Sequence, residues 1–339
     1  MKSKSTGNSP DSSTRENGQN NSVITVRGLR VYFFTEEGVV KAVEGIDLDI
    51  KKGETLGLIG ESGSGKTVSA LSIVQLLPIP PAKIVGGSVF FENTDLLTLS
   101  DKKMREIRGG KISMIFQDPM TSLNPLYSVA DQIAENLRVH RKMLPDEATK
   151  EAIRMMNVVG IPDAERRSIE YPHQFSGGMR QRIMIASALS CLPTLLIADE
   201  PTTALDVTIQ AQVLELIEEL KQKYDTAVLY ITHNFAVVAE IADRVAVMYA
   251  GYIVEEGDVY TIFENPKHPY TIDLLSSIPR VDKKLSHLEV IRGSIPNLIT
   301  PPEGCRFHPR CKKVMDKCSK VVPERVEINE RHFVRCHLY

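Results

Sequence analysis

A glycine-rich segment, GESGSGKT at Gly60–Thr67, constrains the fold more than any other feature of this sequence. It fits the pattern G-x-x-x-x-G-K-[ST], and it lies between the strand-like run ETLGLI and the helix-like run VSALSIVQLL. Glycines at these places let backbone N–H groups surround phosphate oxygens, and the start of the following helix adds partial positive charge. The context predicts a phosphate-binding strand–loop–helix unit, whereas a simple glycine–serine turn would not require both flanking elements.

Each polar position of this loop has an expected role toward a nucleoside triphosphate. The ammonium of Lys66 is expected to reach the β and γ phosphates, and the hydroxyl of Thr67 is expected to ligate Mg²⁺. The residues predicted to bind the nucleotide here are Gly60, Ser62, Gly63, Ser64, Gly65, Lys66 and Thr67.

A pair of acids follows a second apolar run, LLIAD, at residues 195–199. A triphosphate with Mg²⁺ needs a carboxylate near the metal and a base for the attacking water. We predict that Asp199 holds the metal and that Glu200 activates the water. An acidic pair at a strand end also occurs as a helix cap, so this prediction depends on the glycine-rich loop upstream.

The composition is that of an ordinary globular protein. The 339 residues are 42% hydrophobic and 25% charged, with a formal net charge of −2, which argues against a dedicated nucleic-acid binder. The uncharged run 183–198 contains Pro193 and is shorter than the roughly 20 residues that a membrane-spanning helix needs. We therefore expect any membrane role to be peripheral.

The first 22 residues are rich in Ser and Asn and have no apolar core. They are predicted to be a disordered lead-in and not an export signal. We therefore expect the chain to stay in a reducing cytoplasm, where its five cysteines are thiols or metal ligands.

The order of apolar patterns predicts an α/β domain. The unbroken runs 195–199 and 227–233 are typical of parallel strands buried on both faces. Between them, apolar residues at helical spacing and a possible N-cap at Asp206 predict a helix. Residues 129–188 show helical spacing, and VAVMYAGYIVEEG predicts a hairpin that turns at Ala250-Gly251.

In this context FSGGM, Phe175–Met179, resembles the LSGGQ signature of the ABC transporter ATPase family. The resemblance implies that Ser176, Gly177 and Gly178 meet the ATP held by a partner subunit. By the same resemblance, Gln117 is the Q-loop glutamine, which also approaches Mg²⁺, and Asp206 is the D-loop aspartate. His233 is the switch histidine, and Phe33 is the aromatic residue that stacks on adenine. Tyr32 and Phe34 are neighbouring alternatives to Phe33. Met179 departs from the usual Gln, which predicts unequal ATP sites.

The amino-acid composition changes after Pro279. Residues 280–339 contain 13 Lys+Arg and 7 Asp+Glu. The strings KHPYT, GSIPNL and PPEGCRFHPRC resemble the C-terminal region of oligopeptide and dipeptide import ATPases. Four cysteines lie there, at Cys305, Cys311, Cys318 and Cys336. A segment this polar is expected to need a metal staple, so iron–sulfur, zinc and free thiols are the alternatives. The resemblance implies a 4Fe–4S cluster.

The expected fold is thus an α/β P-loop NTPase with a RecA-like core, an ABC β-subdomain and a helical subdomain at about 118–190. The lead-in would cover 1–22, the nucleotide-binding domain 23–279, and a metal-stapled region 280–339. The cysteines lie far along the chain from Lys66, so we expect nucleotide binding not to depend on them.

The resemblance implies the ATP-hydrolysing subunit of a di- or oligopeptide importer at the cytoplasmic face of the membrane. Its expected partners are a second, non-identical ATPase, two permease subunits and an extracytoplasmic peptide-binding protein, and no nucleic acid. The alternatives are a non-transport ABC ATPase, an importer ATPase for another substrate such as nickel, and an iron–sulfur electron carrier.

Overall fold

A computed structural model describes residues 21–118, 122–202, 207–277 and 291–339. Nearly all of the predicted lead-in, and Asp206 with its neighbours, lie outside the described residues. The strands are β1 (Ser22–Thr35), β2 (Gly38–Lys51), β3 (Thr55–Ile59), β4 (Ala82–Phe91), β5 (Thr94–Asp95), β6 (Ile112–Ile115), β7 (Leu195–Asp199), β8 (Ala227–Thr232), β9 (Arg244–Tyr249), β10 (Tyr252–Asp258), β11 (Val326–Asn329) and β12 (His332–Val334).

The α-helices of the described ranges occur mostly between strands. They are α1 (Lys66–Ile73), α2 (Asp101–Ile107), α3 (Val129–Arg141), α4 (Pro145–Val158), α5 (Ala164–Arg167), α6 (Gly177–Leu189), α7 (Val207–Tyr224), α8 (Phe235–Ile241), α9 (Val259–Glu264) and α10 (Pro269–Ser276). None of these helices is long and apolar enough to cross a bilayer.

The central sheet has the strand order β11-β12-β10-β9-β3-β8-β7-β6. Its middle is parallel, since β3 pairs in parallel with β8 and β9, and β7 pairs in parallel with β6 and β8. Every residue of β3, β7 and β8 is buried, as expected for a parallel sheet covered on both faces. The carboxyl ends of β3, β7 and β8 therefore share one edge of the sheet.

The two faces of this sheet have different neighbours. Leu195 and Ile197 of β7 belong to a core shared with β1, β2, β4 and α1. The alternating Leu196 and Ala198 belong to a core shared with α3, α4 and α6. A small antiparallel sheet in the order β2-β1-β4-β5 thus covers one face, and the helices of residues 129–189 cover the other.

The predicted hairpin joins β9 to β10 through Ala250 and Gly251, which have φ of 45° and 89°. Positive φ at both turn residues matches the twist of a tight hairpin. Beyond β10 the C-terminal strands continue the same sheet, because β12 pairs antiparallel with β10 and β11 pairs with β12. The C-terminal residues are therefore part of the central sheet's edge.

Candidate functional site

The glycine-rich loop connects β3 to α1, as its flanking patterns predict. Gly60, Gly63 and Gly65 have φ of 156°, 79° and 108°, which side chains rarely tolerate. A Cβ added to Gly60 would lie 2.1 Å from the carbonyl oxygen of Met248, and one added to Gly65 would lie 2.6 Å from the carbonyl oxygen of Ala42. Gly60 and Gly65 are thus required by space as well as by backbone conformation.

Lys66 is folded back onto its own loop. Its Nζ donates to the carbonyl oxygens of Gly60 at 2.8 Å and Glu61 at 3.0 Å, and the residue is 5% exposed. Burial lowers the pKa of this ammonium, and the carboxylates of Glu200, Asp199 and Glu61 oppose that shift. The charge is positioned at the loop, where phosphate oxygens would replace its backbone partners.

Thr67 and Asp199 meet at the start of α1 and the end of β7. Thr67 Oγ1 donates to Asp199 Oδ1 at 3.2 Å, and Asp199 is 2% exposed. Burial raises the pKa of this carboxyl group because it penalises the charged form. Mg²⁺ prefers oxygen ligands, and a hydroxyl and a carboxylate oxygen lie side by side here. These two residues therefore fit the predicted metal site.

Glu200 follows Asp199 with both carboxylate oxygens occupied. Gln117 Nε2 donates to Oε2 at 3.1 Å, and His233 Nδ1 lies 3.1 Å from Oε1. The backbone of Glu200 has φ of 47°, and its N–H donates to the carbonyl oxygen of Ile231 at 2.8 Å. The structure thus brings together the three residues predicted to be catalytic, Gln117, Glu200 and His233.

A cavity of about 540 Å³ opens beside these groups. Its polar end is lined by Ser62, Gly63, Gly65, Lys66, Thr67, Gln117 and Glu200. Phe33 lines the same cavity, whereas the Tyr32 hydroxyl donates to Glu44 at 2.7 Å and Phe34 is half-exposed. Of the three candidate aromatics, Phe33 is therefore the one placed to face a nucleotide. Ser64 is fully buried and does not line the cavity.

The signature residues lie away from this cavity. Ser176 caps α6 by accepting a hydrogen bond from the Met179 N–H at 3.4 Å, and Gly177 and Gly178 form the first turn of the helix. Phe175 is buried beneath the guanidinium of Arg167, 4.2 Å from the ring centre. No described signature residue lines the nucleotide cavity of the same chain, and Ser176 and Gly177 at the start of α6 are exposed to solvent.

A larger groove, of about 1,030 Å³, lies between β6 and helices α3 and α6. It is lined by apolar, polar and charged side chains, among them Phe116, Tyr127, Glu135 and Arg138. Tyr127 is 58% exposed there. Phe116, which lines the groove, precedes Gln117 of the nucleotide cavity in the chain.

The prediction of a metal-stapled C-terminal region is not supported. Within the described ranges, no group of three or more His, Cys, Asp or Glu side chains is arranged to hold a metal ion. Cys305, Cys311, Cys318 and Cys336 are free thiols that line one cavity of about 10 Å³, which is close to the space of one water molecule. An eight-atom 4Fe–4S cluster fits there only if these side chains rearrange.

The C-terminal region packs on the cassette. Phe307 is 1% exposed, and its ring centre lies 5.1 Å from that of Tyr249 and 5.3 Å from that of Tyr270. The same core includes Ile59 and Val247 of the central sheet. The region is too polar to form a core of its own, but its apolar side chains join a core that the cassette supplies.

One contact was not predicted from the sequence. Arg310 forms two parallel bonds to Glu61 of the phosphate-binding loop, Nη1 to Oε2 at 2.7 Å and Nη2 to Oε1 at 3.1 Å. Tyr270 accepts a hydrogen bond from the Glu61 N–H at 3.0 Å. The cysteine-bearing segment is therefore next to the loop, although it is distant in sequence.

The comparisons with known proteins agree with this geometry. Residues 43–203 match the sequence profile of the ABC transporter family, and residues 254–318 match that of the oligopeptide/dipeptide transporter C-terminal region. The chain also resembles solved structures: a dimeric ATP-binding cassette, MJ0796, bound to ADP and phosphate superposes with a TM-score of 0.64 at 27% identity, covering 70% of this chain and 98% of that chain. The α/β P-loop cassette fold is thereby confirmed.

Two curated relatives span nearly the whole chain. The dipeptide transport ATP-binding protein DppD of Bacillus subtilis (strain 168) is 54% identical, over 93% of this chain and 94% of the relative. The oligopeptide transport ATP-binding protein AppD of the same organism is 50% identical, over 94% and 97%. With the site geometry described above, these findings show that the chain belongs to the ABC transporter ATP-binding proteins that carry the oligopeptide/dipeptide transporter C-terminal region.

Proposed function

We propose that this protein is the ATP-hydrolysing subunit of an importer for di- or oligopeptides. The proposal rests on Lys66, Thr67 and Glu200, which line one cavity, and on buried Asp199, which accepts a hydrogen bond from Thr67. The C-terminal region profile and the two peptide-transport relatives support a peptide substrate over nickel or a non-transport role. An iron–sulfur electron carrier would not require these nucleotide-binding groups.

The residues of the cavity have distinct roles in the proposed reaction. Lys66 and the loop N–H groups bind the β and γ phosphates. Glu200 accepts a proton from the attacking water, while Gln117 and His233 hold its carboxylate in position. Thr67 and Asp199 would hold Mg²⁺, with Gln117 approaching it, and the bound ion would neutralise charge that develops on the phosphate oxygens.

The exposed signature implies a second ATPase subunit. Ser176, Gly177 and Gly178 are free to approach a nucleotide held by another chain, and helix N-termini bind phosphates favourably. We propose a head-to-tail pair of ATPase subunits. Met179 in place of Gln supports a partner with a different, fuller signature.

The groove beside Gln117 is the surface that we assign to the permeases. The groove is large and partly apolar, and Phe116 in its lining precedes Gln117 in the chain. A docked permease segment could therefore shift Gln117, which is hydrogen-bonded to Glu200. The protein would therefore act at the cytoplasmic face of the membrane, and the peptide would be selected by an extracytoplasmic binding protein and by the permeases.

The four C-terminal thiols support a second proposal, which does not depend on ATP hydrolysis. We propose a 4Fe–4S cluster on the resemblance and on the four thiols that line one cavity, which would have to move apart to hold it. Protein purified without oxygen should be brown, with iron and sulfide near four each per chain. Replacing Cys318 by Ser should remove the colour. Cys191, the fifth cysteine, follows α6 and does not line this cavity, so Cys191→Ser should leave the colour unchanged. One zinc per chain, or no metal, would contradict the cluster.

The proposed function is tested with the full chain and its permeases. Lys66→Ala should abolish MgATP binding and peptide uptake into vesicles, because the phosphates lose their cation. Lys150→Ala, an exposed lysine on α4, is the matched control and should behave like the wild type. Undiminished binding by Lys66→Ala, or wild-type ATPase activity that never supports peptide uptake, would overturn the proposal.

A further inference from the structure

The apolar end of the nucleotide cavity is lined by two parts of the chain. Phe33, Val40 and Ala42 come from β1 and β2, and Ile295, Pro296 and Leu298 come from the C-terminal region. We call residues 292–299 the wall segment. The side chains of Ile295 and Leu298 are partly buried against the core that contains Tyr249 and Phe307.

One end of the wall segment is fixed to the small sheet. The N–H of Lys41 on β2 donates to the carbonyl oxygen of Leu298 at 3.0 Å. Ile299 packs so closely on Gly38 that a Cβ there would lie 2.7 Å from Ile299 Cγ2. Leu298 is thus held beside the strand that supplies Val40 and Ala42.

The other end is fixed to the phosphate-binding loop through Arg310. Its Nε donates to the carbonyl oxygen of Arg292 at 2.9 Å, and its Nη2 lies 3.4 Å from the carbonyl oxygen of Gly293. The same guanidinium binds the carboxylate of Glu61. A single side chain therefore bonds to both the wall segment and the loop.

We propose that the wall segment contacts the base of the bound nucleotide, so that the C-terminal region completes the nucleotide site of its own chain. The inference rests on the proposed function, since it requires the triphosphate to lie on the loop. A triphosphate held there leaves the base at the apolar end of the cavity. Ile295, Pro296 and Leu298 offer the base an apolar surface, as ligand pockets commonly do.

The test separates contacts to the base from contacts to the phosphates. In the double variant Ile295→Ala/Leu298→Ala, the Kd for MgATP should rise about tenfold, because apolar surface against the base is lost. The Kd for magnesium tripolyphosphate, which has no base, should not change. Val314→Ala/Val321→Ala, which truncates exposed residues of the same region, should leave both constants at the wild-type value.

A second measurement uses the wild-type chain and does not depend on the folding of a variant. Bound 8-azido-ATP should, on illumination, label a peptide that contains residues 295–298. Labelling confined to peptides elsewhere, or an equal loss of affinity for MgATP and tripolyphosphate in the double variant, overturns the inference.

The outcomes also distinguish this inference from the proposed function. If Lys66→Ala abolishes MgATP binding while Ile295→Ala/Leu298→Ala binds like the wild type, the inference alone fails. If Lys66→Ala binds MgATP normally, the phosphates do not lie on the loop and the proposed function fails first.

Discussion

Glu200 stands directly after β7, and its carboxylate is held between Gln117 and His233. Its place after a buried strand and downstream of the phosphate-binding loop is enough to single it out. Its left-handed backbone and its tie to the carbonyl oxygen of Ile231 depend on β8, which follows it in the chain. Backbone strain of this kind persists only where neighbouring structure enforces it, so one sequence does not reveal it.

Glu200→Gln should separate binding from hydrolysis. The amide keeps the size of the side chain but does not accept the proton of the attacking water, so turnover should fall by roughly 10² or more. MgATP binding should be retained. Phosphate release from the assembled transporter measures the first effect and equilibrium binding the second. Glu219→Gln, on an exposed position of α7, is the control, and near-normal turnover of Glu200→Gln would refute the role as base.

The Arg310–Glu61 pair makes a second prediction at this scale. The Arg310 side chain is 5% exposed and binds Glu61 through both nitrogens, a geometry that Lys does not reproduce. Arg310→Lys should therefore lower MgATP affinity even though it keeps the charge.

A double-mutant cycle checks that this effect passes through Glu61. Glu61→Gln should also lower the affinity for MgATP. The double variant should bind MgATP as tightly as the single variant with the lower affinity, which corresponds to a coupling of about 1 kcal/mol. Arg105→Gln removes an exposed ion pair on α2 and should have no effect. Additive losses in the cycle would show that Arg310 and Glu61 act separately.

At the scale of elements, local patterns predicted strands well and helix ends less well. The run LLIAD is β7 without a change of boundary, because a fully buried parallel strand is an unbroken apolar run. The helix after the loop was expected to continue through VSALSIVQLL, but α1 ends at Ile73 and Gln75 has φ of 51°. The apolar Leu76 and Leu77 therefore belong to the following turn, which periodicity alone does not separate from a helix.

The groove between β6, α3 and α6 gives the prediction for this scale. Tyr127→Asp places a negative charge on its exposed lining, and this should reduce co-purification of the permeases several-fold, since burying an unpaired carboxylate is costly. Tyr260→Asp, a 75% exposed tyrosine of α9 outside the groove, is the matched control. Circular dichroism checks that both variants fold, and equal recovery of permeases with the two variants would place the docking surface elsewhere.

At the scale of the whole molecule, the C-terminal region and the cassette are joined by buried charge as well as by apolar packing. Glu256 of β10 is fully buried and binds Arg244 of β9 and Arg325 of the C-terminal region. His332 of β12 lies 2.8 Å from Glu255. Removing one partner of such a buried pair is strongly destabilising. These partners are far apart in sequence, so the composition of residues 280–339 alone does not reveal them. This is why the polar C-terminal region was predicted to need a metal site.

The shared core predicts that the C-terminal region and the cassette unfold together in one transition. The chain has no Trp, so Phe333→Trp in β12 and Phe90→Trp in β4 report separately on the C-terminal strands and on the small sheet. Phe307→Ala should lower the free energy of unfolding by about 3–5 kcal/mol, because it leaves a cavity among buried aromatic rings. Both reporters should shift together in urea.

Phe34→Ala is the control for this last experiment, since its ring is 50% exposed and its loss should change stability by no more than about 0.5 kcal/mol. If the C-terminal region were held by a metal alone, the two reporters would separate, and a chelator would move the reporter at position 333 while leaving that at position 90 in place. Coincident transitions that respond to Phe307→Ala in the absence of metal would instead assign the order of this region to its packing on the cassette. Cooperative unfolding also implies that nucleotide bound at the loop should stabilise the C-terminal strands, because a ligand of the native state stabilises everything that unfolds with its site.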